Sequence, residues 1–212
     1  MAIARPMPEA APVTIALFRF TVANCPFLYF HAVARIAFVA HCLLNQNAKV
    51  DGGARTPGVY SPLVEELRAQ GWRIEQMPCP ELAFTGLHRF WAVKEQLDTP
   101  AFRRHCRRIA GAVASAIEVH ATRGDDVVIV GLEGSPSMGV CVTSSDPERG
   151  GRPSWPEGAT ELAPGRGIYI EELEAELADR GISMPRSMGI SHQLPDHDPA
   201  SERAALGELL GG

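Results

Sequence analysis

The sequence lacks most of the signatures that identify common cofactor-binding and nucleic-acid-binding proteins. Its five cysteines are widely spaced and include no C-x-x-C pair of the kind that zinc ribbons use. The formal net charge is -5 with both signs interspersed, so no basic stripe is present to neutralise a phosphate backbone. There is no P-loop, dinucleotide fingerprint, internal repeat or low-complexity tract. We expect no nucleic-acid partner, no secreted disulfide framework, and a location in the reducing cytoplasm.

One apolar stretch, from Val13 to Val33, could be mistaken for a signal peptide or a membrane span. Arg19 and Asn24 interrupt it, which makes a buried span costly, and no small-residue cleavage pattern follows. We therefore expect residues 1–34 to be an N-terminal extension and the chain to have no membrane association.

Apolar runs of strand length alternate with helical patterns over residues 35–190. The runs that begin at Arg35 and Asp126 are continuously apolar, which is typical of parallel strands covered on both faces. The pattern predicts a doubly wound, Rossmann-like α/β fold with a three-layer parallel sheet in a single domain. Residues 144–164, rich in Gly, Pro, Asp and Ser, predict a long loop, and residues 191–212 predict a polar C-terminal tail with at most one marginal helix.

Three cysteines follow predicted strands. Cys42 comes after the first strand, Cys79 after the second, and Cys141 in the segment after the third. Because the carboxyl ends of parallel strands meet at one edge, we expect these thiols to converge there. Cys106 lies within a predicted helix, where a buried cysteine acts as a small hydrophobic residue. Spacing alone leaves an iron-sulfur cluster, a zinc ion and coincidental buried cysteines as alternatives.

Three ordered motifs resemble those of a known family. They are Cys42-Leu-Leu-Asn-Gln-Asn followed by Val50-Asp-Gly-Gly, then Pro78-Cys-Pro-Glu, then Gly134-Ser-Pro-Ser. Their order and spacing are similar to those of DUF523, the 2-thiouracil desulfurase family, and their form is closest to its TudS-related desulfidase branch. The resemblance implies a [4Fe-4S] cluster held by three cysteines, with one iron left open to take the sulfur of the substrate.

The same resemblance implies that Cys42 and Cys79 are two of the cluster ligands. The third cysteine of the family falls on Met138, and a thioether is a much poorer iron ligand than a thiolate. Cys141 lies three residues further on, so a helical turn there would place both side chains on one face. We expect Cys141 to supply the third ligand; the alternative is a site with a different cluster or none.

The resemblance also places a catalytic serine at Ser135 and a glutamate at Glu75, four residues before the second cysteine. Removal of sulfur from a thiocarbonyl carbon needs a Lewis acid on the sulfur, a water molecule to attack the carbon, and a group to accept the proton of that water. Glu75 is one candidate for this base and Glu81 is the other.

Asn45, Asp51 and Ser137 are candidate substrate-binding residues because they place polar groups near the strand ends. Asn45 and Asp51 would equally well stabilise the turn that follows the first strand. The predicted function is a cluster-dependent desulfidase acting on a small thioamide or thiolated heterocycle. A redox or small-molecule-binding α/β protein with a degenerate or absent cluster, and a zinc protein, are the alternatives. The oligomeric state is left open, with a homodimer as one option.

Overall fold

The structure is a computed structural model, and it describes residues 32–149 and 161–211. The described residues belong to one compact unit that begins at Ala32. Nearly all of the predicted N-terminal extension and the middle of the predicted long loop lie outside these ranges. Of the helices within them, none combines the length and the apolar character needed to cross a bilayer.

Within residues 32–149 and 161–211 the backbone forms six strands in two sheets. The strands are β1 (Arg35–Ala40), β2 (Arg73–Met77), β3 (Asp126–Leu132), β4 (Val142–Ser144), β5 (Leu162–Pro164) and β6 (Arg186–Ile190). The main sheet is parallel and has the order β2-β1-β3-β6, whereas β4 and β5 form a separate antiparallel pair. This arrangement, with helices flanking the sheet, confirms the predicted α/β class.

Seven α-helices and one 3₁₀ turn, Gln46–Ala48, accompany the described strands. The helices are α1 (His41–Leu44), α2 (Ser61–Ala69), α3 (Pro80–Thr85), α4 (Lys94–Leu97), α5 (Pro100–Arg123), α6 (Ile168–Asp179) and α7 (Pro199–Gly211). The longest helix, α5, starts and stops where the sequence predicts. Thr99 Oγ1 accepts the N–H of Phe102 at 3.2 Å at its start, and Gly124 ends it with a φ of 74°.

Strand β1 lies at the centre of the packing. From Ile36 to Ala40 it is at most 2% exposed, so both of its faces are covered, as the continuous apolar run predicts. The chain passes outward from β1 to β2 and then returns across β1 to β3. That reversal opens a crevice beyond the carboxyl ends of β1 and β3, where ligands bind in sheets of this kind.

The C-terminal segment is more than the polar tail that the sequence predicts. Leu206 and Leu210, four residues apart on α7, are 4% and 1% exposed and belong to the main core. Tyr60 Oη donates to Glu202 Oε1 at 2.9 Å, which attaches the start of α7 to the body of the domain. The prediction missed this because α7 has only two buried residues, and apart from Leu209 its other positions are polar, small or proline.

We predict that Leu206→Ala lowers the free energy of unfolding by roughly 2–5 kcal/mol, because it leaves a cavity in a packed core. Urea unfolding followed by circular dichroism measures this. Glu208→Ala, at an exposed position of the same helix, is the matched control and should change stability by less than about 0.5 kcal/mol. Equal effects of the two substitutions would contradict the packing of α7 against the core.

Candidate functional site

A cavity of about 250 Å³ lies at the carboxyl ends of β1, β2 and β3. The segment after each of these strands contributes to its wall. Cys42 follows β1, Cys79 follows β2, and Ser135, Ser137 and Met138 follow β3. The volume suits one small ring and is below that of a typical drug-sized site.

Two thiols, Cys42 and Cys79, line this cavity. Burial raises the pKa of Cys42 to about 12, and the neighbouring Cys79 adds to the effect. Burial also raises the pKa of Cys79, with a further contribution from the carboxylate of Glu81. Both thiols are therefore protonated at neutral pH in the metal-free protein, and a metal must displace their protons to bind.

The third predicted thiol, Cys141, does not join the other two. It is exposed and absent from the cavity wall, whereas Met138 is 2% exposed and lines the cavity. The segment after β3 forms turns that lead into β4 and makes no helix there, so Met138 and Cys141 do not share a helical face. Within residues 32–149 and 161–211, no three Cys, His, Asp or Glu side chains are grouped as a metal site requires.

Glu81 is held in the cavity by two partners. Ser137 Oγ donates to Glu81 Oε1 at 2.6 Å, and Arg89 Nε lies 3.4 Å from Glu81 Oε2. The Arg89 and Glu81 side chains are only 8% and 12% exposed, and Arg89 also donates to the carbonyl of Ala48 at 2.9 Å. One carboxylate oxygen is thus fixed by an arginine, and the other contacts a cavity hydroxyl.

Ser135 both lines the cavity and shapes the turn around it. Its Oγ accepts the backbone N–H of Met138 at 3.0 Å and that of Ser137 at 3.3 Å. The two serine hydroxyl oxygens are 3.4 Å apart. Ser135 and Ser137 are therefore adjacent, and only Ser137 contacts Glu81.

Three predicted site residues lie elsewhere. Glu75 Oε1 is 2.8 Å from an Arg73 guanidinium nitrogen and 3.2 Å from Nε2 of His120 at the end of α5. Asn45 is exposed, and its side chain accepts the N–H two residues on to cap the 3₁₀ turn. Asp51 is exposed and does not line the cavity. None of these three residues lines the cavity that Cys42 and Cys79 share, and of the two predicted bases only Glu81 does.

The cavity also contains polar residues that sequence reasoning missed. Lys49, 8% exposed, donates from Nζ to Gln193 Oε1 at 3.2 Å, and both side chains line the cavity together with Arg55. A signal for Lys49 was present, because it lies between the first cysteine motif and the Asp51 turn. Gln193 follows β6, far along the chain from the motifs, and no local pattern marks it.

The buried carboxylate of Glu133 organises the loop that carries the serines. It accepts the backbone N–H groups of Val140 at 3.3 Å, Cys141 at 3.1 Å and Val142 at 2.7 Å. Gly189 on β6 provides the space, because a Cβ there would lie 2.3 Å from the carboxyl carbon of Glu133. A charged residue directly after an apolar strand is the signal that could have identified it.

The comparison with protein families finds a match over much of the chain. The model of the family described as Putative 2-thiouracil desulfurase matches residues 34–152, more than half of the chain. The chain belongs to this family. The matched range includes all three motifs and every cavity residue named so far except Gln193.

A curated relative and a solved structure are similar to the chain. The uncharacterized protein MJ0003 of Methanocaldococcus jannaschii is 34% identical over 101 residues, which are 48% of this chain and 65% of that protein. The chain thus spans slightly less than two thirds of the length of this relative. The solved structure of TudS, described as a [4Fe-4S]-dependent thiouracil desulfidase, is 23% identical with a TM-score of 0.44, over 84% of this chain and 99% of that one.

We predict that Glu133→Ala destabilises the protein by roughly 3 kcal/mol or more, because it leaves three buried or half-buried N–H donors without their acceptor. Glu133→Gln keeps one acceptor oxygen and should cost less. Glu161→Gln, at an exposed carboxylate, is the control and should be near neutral. Chemical unfolding of the three variants tests the order, and equal stability of Glu133→Ala and wild type would contradict the role of Glu133.

Proposed function

We propose that the protein is a desulfidase that removes sulfur from a small thiocarbonyl compound, such as a thiolated heterocycle. The observation that carries the proposal is the meeting of Cys42, Cys79, Ser137 and Glu81 in one cavity of small-ring size. Membership of the desulfurase family supports the reaction class. Cysteine thiolates can hold a soft metal centre that binds sulfur, and a carboxylate can accept the proton of the attacking water.

The reaction balances without an oxidant or a reductant. The oxygen of water forms a bond to the thiocarbonyl carbon, the carbon–sulfur bond breaks, and the sulfur leaves as hydrogen sulfide with the two protons of the water. The product carries a carbonyl in place of the thiocarbonyl. Proton transfer and binding of the sulfur are therefore the tasks left to the protein and its cofactor.

Glu81 is the proposed base. Its Oε1 accepts the hydroxyl proton of Ser137 at 2.6 Å. A water molecule that takes the place of this hydroxyl can pass a proton directly to the carboxylate, and a water molecule beside the hydroxyl can pass its proton through Ser137. Arg89 holds the other oxygen, which fixes the orientation of the carboxylate. Ser135, 3.4 Å from the Ser137 hydroxyl, completes a pair of polar groups that can orient water or substrate.

Cys42 and Cys79 are the proposed protein ligands of an iron-sulfur cluster. The fit is partial, because two thiols line the cavity and Met138 stands where the resemblance places a third cysteine. When bound, such a cluster supplies a soft Lewis acid for the sulfur of the substrate. In this proposal Cys141 is not a ligand, since it is exposed and outside the cavity wall.

The shortfall of one thiolate favours one competing function, a small-molecule-binding protein of the same fold that has lost the cluster. Met138 is the specific observation behind it, because a buried thioether cannot replace the charge of a thiolate. The two functions differ in the iron and sulfide that the protein carries.

We predict that anaerobically prepared protein carries iron and acid-labile sulfide, and that Cys42→Ala and Cys79→Ala lose most of both. Cys141→Ala is the matched control and should retain them. Met138→Cys should increase both, because it restores a third thiolate to the cavity wall. Iron and sulfide analysis together with absorbance near about 400 nm measures the outcome.

Three results would contradict the proposed cluster or its ligands. Wild-type and Met138→Cys proteins that both remain colourless after reconstitution would establish the cluster-free alternative. Loss of iron in Cys141→Ala, with Cys42→Ala unaffected, would refute the ligand assignment. Zinc in place of iron would identify a zinc protein.

We predict that Glu81→Gln slows sulfide release from 2-thiouracil by about 10²–10⁴-fold, because an amide cannot accept the proton of the attacking water. The iron content should not change. Glu75→Gln, at the predicted base that lies outside the cavity, should retain the wild-type rate. A large loss in Glu75→Gln with full activity in Glu81→Gln would reverse the assignment.

A further inference from the structure

Lys49 is a buried cation whose observed partners are neutral. Its side chain follows the 3₁₀ turn and reaches the cavity wall, with the residue only 8% exposed. Nζ donates to Gln193 Oε1 at 3.2 Å and lies 3.1 Å from Nε2 of His192. Burial lowers the pKa of Lys49 to about 8, and the pKa of His192 is lowered to about 3 by burial and by the charge of Lys49. At neutral pH, Lys49 is therefore charged and His192 is neutral.

The described part of the cavity wall offers Lys49 no free carboxylate. The one carboxylate in the described cavity wall, Glu81, is already paired with Arg89. Buried lysines are almost always paired, so an unpaired ammonium at a cavity wall is an incomplete site.

Arg55 adds a second positive charge to the same wall. It is exposed, lines the cavity, and makes no ion pair within the described part of the chain. Three cations, Lys49, Arg55 and Arg89, thus face one carboxylate, which leaves an excess of positive charge in a space of small-ring size. Such a site attracts an anion and discriminates against the neutral form of the same ring.

We propose that the cavity recognises a small thiocarbonyl ring that carries a negative charge, such as a ring carboxylate, and that Lys49, assisted by Arg55, binds that charge. This inference rests on the proposed function and names its substrate class. Gln193 and His192 act as positioning residues, because each contacts Nζ of Lys49 and holds it at the wall. A lysine ammonium has three N–H donors, and these two contacts use at most two of them. A donor therefore remains for an anionic oxygen.

The test compares two probes that differ by one carboxylate, 2-thioorotate and 2-thiouracil. We expect the full-length protein, purified anaerobically, to bind 2-thioorotate about tenfold to a hundredfold more tightly in isothermal titration calorimetry. Lys49→Met should abolish this preference by weakening 2-thioorotate binding while leaving 2-thiouracil binding nearly unchanged. Lys49→Arg should retain most of the preference, because it retains the charge.

Arg68→Met is the matched control, since it removes one exposed positive charge outside the cavity wall and should keep the preference. Thermal unfolding establishes that each variant is folded; if Lys49→Met is not, Lys49→Gln replaces it. Equal affinity of wild type for the two probes overturns the inference, and so does a preference that survives in Lys49→Met.

The two proposals fail in different ways. Sulfide release from 2-thiouracil together with equal binding of both probes would refute the charged-substrate inference and leave the desulfidase intact. Lys49-dependent binding of 2-thioorotate without sulfide release from either probe would do the opposite.

Discussion

The pairing of β1 with a parallel neighbour on each side is the constraint on which the site depends. Ala40, the last residue of β1, is in register with Met77, the last residue of β2. Cys42 and Cys79 each follow two residues later, so the register starts both cysteine segments at the same edge of the sheet. A register slip by one residue in β2 would turn its side chains to opposite faces and separate the pair.

Desolvation sets the charge of the cavity. The same burial keeps the cysteines protonated and leaves Lys49 with neutral neighbours, so the metal-free wall is positive where it is not balanced by Glu81. Metal binding would displace the thiol protons, and the charges of the metal and of the thiolates would then offset one another beside Lys49.

The sequence predicted the features that depend on strong local patterns. It failed where contacts between distant segments of the chain determine the structure. Continuous apolar runs identified β1 and β3, and strand ends plus motifs identified Cys42 and Cys79, which do meet at the cavity. Cys141 was predicted to join them from its distance along the chain. That distance cannot show that Glu133 fixes the backbone of the segment that holds Cys141. The signal for Glu81 was the motif, whereas its pairing with Ser137 and Arg89 depends on tertiary packing.

The segment that completes the cavity wall comes late in the chain, and this has a consequence for how the protein is synthesised. Gln193 and its neighbours, which close the cavity, follow β6 and are followed by α7. A ribosome therefore releases both thiols well before the segment that covers them. During this interval of synthesis the thiols lack part of the wall that later encloses them, so they are more open to solvent in the nascent chain than in the finished protein.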